Sequence, residues 1–516
     1  MSVLARSVAV ALAGVGAGLA FEPFHWVYLL PFSVAVLTLC CVGRRKRSGF
    51  WLGLVFGTAF MLVLLPWLKV IGVYAWIPLA VIEGAFYGLA GLATSAVSGP
   101  VVRLRWWPVW AASSWVLVEA LRGTVPFGGF PWGRLSFAVE DTPVAPLLAY
   151  LGAAGVTFVV ALVGTTVAWA VLHVRHTPVR AAAAVAGTLA LAGVAAVVPW
   201  QATRSTDPRV TVAAVQGNVP GEGLEAFAER RVVLDNHIEA TQLFAARVAA
   251  GKAPKPDVVV WPENSSDIDP YTDLIARTSI ADAAKAVHAP LLMGAVVGDR
   301  ANRGWHNRAI VWSATGRPGA YYDKTHPVPF GEYIPFRNLL ASRVTALQQI
   351  PTDMIRGTRP GVLTVGPAKA GVLMCFEVAY DGLLRGLVDG GADVIVVPTN
   401  NATYTGTGQI EQQFAMSRLR AVETGRYVVI ASTNGISGIV APDGRVVARA
   451  PQRRQVVLDR SIALIHRRTP ADVLGPWPEV AGSAAGVLAV LAALGTGYRR
   501  RARPGARLAR PEGRRT

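Results

Sequence analysis

Charge is scarce in this chain. Only 16% of the 516 residues are Asp, Glu, Lys or Arg, and 52% are hydrophobic. An ordinary soluble protein carries about 25% charged residues, so the chain is too apolar for that class. Acidic residues are scarcer still, 32 against 50 basic ones, which leaves a net charge of +18. Cysteine occurs three times, at Cys40, Cys41 and Cys375, too few and too unevenly spaced for a disulfide framework. No CxxC, HExxH or clustered His/Cys pattern occurs, so no metal centre is expected, and there is no phosphate-cradling glycine loop ending in GK[ST]. Nothing in these absences calls for a cofactor.

What is abundant is long apolar runs, near 6–21, 26–42, 49–70, 74–99, 106–121, 146–172, 181–200 and 480–498. A membrane span needs roughly 20 such residues, and the first run reads as a retained span rather than a cleaved leader. Basic residues cluster between the runs, in GRRKR (43–47), VVRLR (101–105), HVRHTPVR (173–180) and the tail from Arg499 with its eight arginines. That distribution fits a multi-span membrane protein and not a nucleic-acid binder. If the runs are eight spans with the N-terminus inside, all four clusters fall on one side, which the retention of Lys and Arg makes the cytoplasm. The expected layout is a membrane domain over 1–204 with seven spans, an outward domain over 205–472, a last span over 473–498 and a basic cytoplasmic tail over 499–516.

Between the last two runs the composition changes. Short Val- and Ile-rich stretches at 210–218, 257–264, 290–298, 308–316, 372–377, 393–401 and 427–435 read as buried strands. The segments 223–250, 274–288, 379–390 and 409–424 read as helices, and PDG (442–444) as a hairpin turn. Strand and helix alternate, so the outward domain is α/β with a largely buried sheet.

Polar groups cluster just past strand ends, where open α/β sheets place function. These are Glu263 in VVVWPENS, Cys375 in VLMCFE, and Asn400 and Asn401 in VVPTNN; Lys324 lies in the proline-rich YYDKTHPVPFGEYIPF. Each alone has a bland reading, as a capping glutamate, a solvated lysine or a small buried thiol. Together they have a chemical one. A carboxylate takes the proton of a thiol, a lysine stabilises thiolate and oxyanion, and the Phe376 N–H is a second oxyanion donor. Glu332 would hold the lysine. His306 is assigned to core or surface. Inside the apolar runs, Glu83 stands alone, while Glu119 and Arg122 share a helical face and are expected either to pair or to lie near a phospholipid headgroup. Phe130, Pro131 and Trp132 are expected in a loop at the outer membrane surface, and 333–357 as a lid or arm dipping into the interface.

The words WPEN, YDKTHPVPFGEYIPF and MCFE, in that order, resemble the nitrilase superfamily. WVLVEALRG, PFGGFPWGRL, QGNVP and PTNNATY followed by QQFAMSRLRAVETGRYVVIASTNG resemble its membrane-embedded branch, the apolipoprotein N-acyltransferase family, from about residue 6 to the last run. The resemblance implies an αββα sandwich with a Glu263–Lys324–Cys375 triad, in the bacterial cytoplasmic membrane. The activity implied is transfer of an acyl chain from a phospholipid to the N-terminal amine of an S-diacylglyceryl-cysteine apolipoprotein through a thioester on Cys375. Glu332, Phe376, Glu377, Asn400, Tyr404 and Trp132 are implied as supporting or substrate-binding residues. The partners are membrane lipid, the phospholipid donor and the lipoprotein acceptor, with no nucleic acid and a monomeric enzyme. Two positions depart from the family pattern. Phe376 stands where a tyrosine is usual, so a hydroxyl there is dispensable or its role has moved to Tyr380. GEGLEAF follows QGNVP where a tryptophan is expected, and Phe227 stands in as an apolar wall. Two other readings remain, a membrane-tethered amidase on a small carbon–nitrogen substrate, and a transporter or scaffold with an inert domain.

Overall fold

The computed structural model describes residues 2–99, 103–221, 230–299, 301–340 and 352–502. Phe227, most of the arginine tail, part of VVRLR and the middle of the expected lid lie outside the described residues.

All eight apolar runs form helices: α1 (Val3–Leu19), α2 (Leu29–Cys41), α3 (Lys46–Leu64), α4 (Val73–Val97), α5 (Trp107–Arg122), α6 (Leu148–His173) and α7 (Pro178–Val197), then, after the sandwich, α14 (Trp477–Ala502). By length and composition, five are apolar and long enough to cross a membrane: α3, α4, α6, α7 and α14; α1 and α2 are shorter apolar helices. The closest packing is between α3 and α4, where Gly49, Gly53 and Gly57 sit four apart on one stripe. A Cβ at Gly53 would lie 2.2 Å from the Tyr87 carbonyl oxygen, so only hydrogen there lets the two backbones approach.

Residues 209–463 form two six-stranded sheets. One has the order β12-β1-β2-β3-β4-β5 and the other β11-β10-β9-β8-β7-β6. The first is built from β1 (Arg209–Gln216), β2 (Val258–Val260), β3 (Leu291–Asp299), β4 (Gly304–Trp312), β5 (Pro318–Asp323) and β12 (Val456–Ala463). The second contains β6 (Val362–Val365), β7 (Ala368–Val372), β8 (Val394–Thr399), β9 (Val428–Ser432), β10 (Gly438–Val440) and β11 (Val446–Arg449). Helices α8 (Arg230–Ala249) and α9 (Leu274–Val287) cover the first sheet, α11 (Asp381–Asp389) and α12 (Gln409–Thr424) the second; α10 (Arg337–Leu340) and α13 (Pro470–Leu474) are short. The expected PDG turn joins β10 to β11, closed by Ala441 N–H donating to Arg445 O at 2.9 Å.

Central strands are buried on both faces, which is why they read as continuous apolar runs. On β8, Val394 and Val396 fill the space between the sheets, while Ile395 and Val397 face α11 and α12. That second core does not stop at the sandwich. It runs on through Phe376, Phe414 and Leu419 into Trp132, Phe60 and Leu64 of the helical region. The α11/α12 layer is therefore the layer that meets the helices. The chain ends leaving α1, α3 and α5 reach it: Gln412 Nε2 donates to Glu22 O (2.9 Å) and Leu64 O (3.1 Å), and Trp132 Nε1 donates to Gln412 Oε1 (2.7 Å). The loops after α2 and α4 instead bond each other, Gly43 N–H to Ser98 O at 3.0 Å.

The expected strand at 372–377 ends at Val372, and Cys375 opens a 3-10 turn, Cys375–Ala379. The expected strand at 257–264 is likewise three residues long. In both, the chain leaves the sheet early because a polar group must turn out of the apolar layer. The Glu119–Arg122 pair does not form. Arg122 turns to Glu83 (3.2 Å) and to the carbonyls of Phe130 and Trp132, while Glu119 accepts from Thr157 (2.6 Å) and Leu135 N–H (2.7 Å) and faces Arg134 at 3.6 Å. Each charge finds a partner on another element: Nη1 of Arg122 alone reaches the Glu83 carboxylate and both carbonyls.

Candidate active site

The C-terminal ends of β2, β5, β7 and β8 converge, bringing Glu263, Lys324, Cys375 and Asn400 into one crevice between the sheets. Lys324 Nζ lies 2.8 Å from Glu263 Oε1 and 3.0 Å from Glu332 Oε2. Asn307 Nδ2 bridges the two carboxylates, 2.7 Å from Glu263 Oε1 and 2.8 Å from Glu332 Oε1. The backbone N–H of Asn400 donates to Glu263 Oε2 at 3.0 Å, and Val328 N–H to Glu332 Oε2 at 2.7 Å. A carboxylate has about four lone-pair sites. Glu263 uses two on Oε1 and one on Oε2, so one remains to take a proton.

Burial opposes the charge of Lys324, yet the Glu263 and Glu332 carboxylates outweigh it and hold the ammonium well above its ordinary range. Cys375 behaves in the opposite sense. It keeps partial exposure, but the protein crowds it. That burial, then the Glu263 charge, pushes the thiol up, against the pull of Lys324 and the Asn400 N–H. The resting sulfur is a thiol, and it needs a base to become a nucleophile. Its backbone has φ +53°, left-handed for a non-glycine residue, so the sulfur is held on a strained elbow between β7 and the 3-10 turn.

Glu377 is fully buried and serves the frame. Its carboxylate accepts from Met374 N–H (2.9 Å), Thr325 N–H (2.8 Å), His326 N–H (3.0 Å) and the Tyr322 hydroxyl (2.9 Å). It thus ties the Lys324 loop to the Cys375 elbow. Burial pushes this carboxyl up despite the donors around it.

Phe376 is stacked on Trp132, ring centroids 5.3 Å apart at 2°, and on Phe130 at 5.5 Å. Trp132 is 1% exposed, so the loop expected at the membrane surface is instead packed under the Cys375 elbow, because the aromatic edge of the sandwich covers it. Its indole N–H goes to Gln412 and its ring meets Trp67 at 5.7 Å; Trp67 in turn lies edge-on to Tyr404 at 5.1 Å. Burial raises the Tyr404 hydroxyl. The Tyr380 hydroxyl bonds Gly129 O at 3.0 Å, and so it joins the sandwich to the FGGF loop. His306 pairs with Asp299 at 3.1 Å on the outer side of β4, as expected for a residue outside the site.

Sequence reading missed three participants. Asn307 alternates with Ala309 and Val311, both in the core between the sheets, and that period of two was the available signal. Gln413 Oε1 lies 3.7 Å from Cys375 Sγ, and Trp67 touches Tyr404; neither is marked by a local pattern. Among the described residues, one group of possible metal ligands occurs, Glu22, His25 and Glu140, away from the crevice.

Residues 13–166 match the model of the apolipoprotein N-acyltransferase N-terminal domain, and residues 211–467 match that of carbon-nitrogen hydrolases. An apolipoprotein N-acyltransferase of Mycolicibacterium smegmatis is 40% identical over 93% of this chain and 84% of that protein. One from Allorhizobium ampelinum is 30% identical over 85% of this chain and 86% of its own length. A third, from Chromobacterium violaceum, is 29% identical over 97% and 96%. Helical region and sandwich are matched together in each, and on that ground the chain belongs to the apolipoprotein N-acyltransferase family, a bacterial membrane branch of the nitrilase fold.

Proposed function

We propose that the protein acylates the N-terminal amine of S-diacylglyceryl-cysteine apolipoproteins, drawing the acyl chain from a membrane phospholipid through a Cys375 thioester. The observation that carries the reading is the position of the elbow: the residue after the sulfur is stacked on aromatic rings of the apolar helical region. A nucleophile there meets substrates anchored in a bilayer, which a small soluble amide does not require.

In the first half-reaction Glu263 takes the Cys375 proton while Sγ attacks the ester carbonyl carbon. The oxyanion that forms is stabilised by the Lys324 ammonium and by the Phe376 N–H, an early donor of its turn with few carbonyls behind it. Collapse breaks the C–O bond. The departing alkoxide takes the proton from Glu263 and leaves as lysophospholipid. In the second, the lipoprotein amine attacks the thioester and gives a proton to Glu263. Collapse breaks the C–S bond, and that proton returns to the sulfur. Glu332 and Asn307 keep Lys324 and Glu263 in place throughout. Asn400 orients Glu263, and Tyr404, Trp132 and Phe376 form the apolar wall; Glu377 holds the frame.

The supporting features for topology are the alternating loops. The ends of α1, α3 and α5 meet the sandwich, and the basic loops after α2 and α4 bond each other. With the basic side in the cytoplasm, the sandwich (205–472) lies outside the cytoplasmic membrane, with helices over 1–204 and 473–498, both termini inside and a basic tail from 499. The enzyme acts as a monomer.

The test is to incubate the purified protein with phospholipid bearing a labelled acyl chain and search by mass spectrometry for an acyl adduct on Cys375. The adduct is expected, and Cys375→Ala and Cys375→Ser abolish it with expression unchanged. Turnover of small amides with no adduct would refute acyl transfer.

A further inference from the structure

Away from the crevice, the turn between α1 and α2 and the loop before α6 bring three metal-ligating side chains together. Glu22 and His25 come from the turn, and Glu140 follows the 3-10 turn Leu135–Ala138. His25 Nδ1 lies 3.3 Å from Glu22 Oε1 and 3.7 Å from Glu140 Oε1, and the three ligand atoms all lie within 4.8 Å of one another. Zinc bonds of about 2.1 Å put neighbouring tetrahedral ligands about 3.4 Å apart, which these spacings bracket. Glu140 itself is short of partners. It is 5% exposed, and its Oε2 accepts no hydrogen bond. Arg418 Nη1 approaches that oxygen at 3.4 Å, but the hydrogen bonds of Arg418 go to the Asp141 carboxylate (2.8 and 2.5 Å) and to Gly444 O (3.0 Å). Burial, then the adjoining Glu22 carboxyl, pushes Glu140 up to about 8, so near neutral pH a proton sits between the two acids. A divalent cation in that place replaces the proton and cancels both charges.

We propose that Glu22, His25 and Glu140 bind a divalent transition metal of the zinc class, with His25 Nδ1 and one oxygen of each carboxylate as ligands and water in the fourth position. Binding releases the shared proton to solvent. The imidazole selects zinc-class ions over Mg2+ and Ca2+, which take oxygen ligands. The side chains of His25 and Glu22 keep 29% and 23% exposure, so the ion enters from solvent. No sequence motif marks the site, because Glu140 lies 115 positions beyond His25. Its consequence is mechanical. Glu22 O accepts from Gln412 Nε2, and Gln412 Oε1 holds the Trp132 indole. A metal here pins the α1–α2 turn to the loop at Glu140, over the joint between helical region and sandwich. No step of acyl transfer runs through it.

The experiment titrates Zn2+ into the full-length protein in detergent, free of any affinity tag and stripped with a chelator, in competition with a chromophoric zinc indicator. The parent is expected to take one zinc per chain in this site. Two variants remove one ligand each. His25→Asn suits the left-handed backbone there, φ +55°, and Glu140→Gln keeps the shape of the side chain. Each should weaken zinc binding by at least the ~10–100-fold that loss of a supporting partner costs a metal site. Co2+ should give the parent the visible band of a tetrahedral centre and give neither variant that band. Zn2+ should raise the melting temperature of the parent and not that of the variants. His306→Ala, which removes the imidazole paired with Asp299, should leave all three readouts unchanged. No zinc uptake by the parent, or equal uptake by parent and both ligand variants, overturns the proposal, the second result placing the ion elsewhere on the protein. If one variant fails to fold, by its melting curve, the other decides. If both fail, the cobalt spectrum of the parent decides, and a missing tetrahedral band is the overturning result. None of these readouts uses an acyl donor, so a missing acyl adduct on Cys375 sinks the proposed reaction and leaves the metal site standing.

Discussion

Two buried charge clusters, one at the active crevice and one at the joint between sandwich and helices, are built from the same kinds of group and differ in the cation. The crevice uses an ammonium. Lys324 sits between Glu263 and Glu332 as a compact point charge. The joint uses guanidinium groups. Arg134 reaches Asp381, Glu479 at 2.7 Å and Glu119 at 3.6 Å, linking sandwich, last helix and α5. Arg420 donates to the carbonyls of Val378 (2.8 Å) and Ala379 (3.0 Å), the end of the turn that carries Cys375, and to Asp381 (2.7 Å). A planar fork with five fixed donors suits a mechanical joint, whereas a rotatable point charge suits a centre where charge appears and disappears. The lesson is that burial of charge alone does not mark a catalytic group here. What distinguishes the crevice is a partly exposed thiol beside it.

The sharpest way to break this contrast is to remove each cation. Lys324→Met is expected to slow thioester formation by about 10²–10³-fold or more in single-turnover assays, as for loss of an oxyanion donor. Melting should stay closer to the parent than in the Arg134 variant, since Asn307 and the N–H groups of Asn400 and Val328 still hold the two carboxylates. Glu263→Gln should cost about 10²–10⁴-fold in the same assay, as loss of a general base does. Arg134→Met is expected to act on the other axis. Leaving Asp381 and Glu119 without their shared cation should cost roughly 3–5 kcal/mol, read by thermal unfolding in detergent. A Lys324 variant that unfolds while the Arg134 variant only loses rate would reverse the assignment.

A weaker effect separates the two regions by pH. His237 is fully buried under β1 and β2; its Nδ1 bonds Val233 O at 2.7 Å, and burial lowers its pKa to about 4. In the unfolded chain it takes a proton near its ordinary value, and in the folded sandwich only near 4. Stability is therefore intact above about pH 6.5 and is lost as pH falls toward 4, by on the order of 3 kcal/mol at the acid end. His237→Phe should flatten that slope in acid melts of the protein, and an unaltered slope would place the acid sensitivity elsewhere. The smallest expected change is Phe376→Leu. It keeps an apolar residue but gives up the stack on Trp132, worth about 1 kcal/mol. Double-mutant melts with Trp132→Leu should show that coupling, and additive losses would remove the stack from the joint.

Much of this was legible without coordinates. The apolar runs became helices, the Val-rich stretches became buried strands, and 409–424 became α12 to the residue. Glu263, Lys324 and Cys375 stood out because each follows a strand in a motif of its own. The elbow at Cys375 was not legible, because a left-handed residue after a buried strand leaves no mark in a run such as VLMCFE. Nor were the pairings of Glu119 and Arg122, since helical spacing shows which residues share a face and not which helix faces them.

By itself the sequence determined the chemistry available and the medium: one thiol outside the apolar helices, a carboxylate and an amine to serve it, and long apolar helices around. Those follow from composition and local periodicity, which depend on neighbours along the chain. Tertiary structure alone decided that Trp132 lies under Phe376, that Asn307 bridges two carboxylates and that Gln413 faces the sulfur. Each of these contacts joins residues far apart in sequence, 244 positions for Trp132 and Phe376, whose partners are chosen by how whole layers pack.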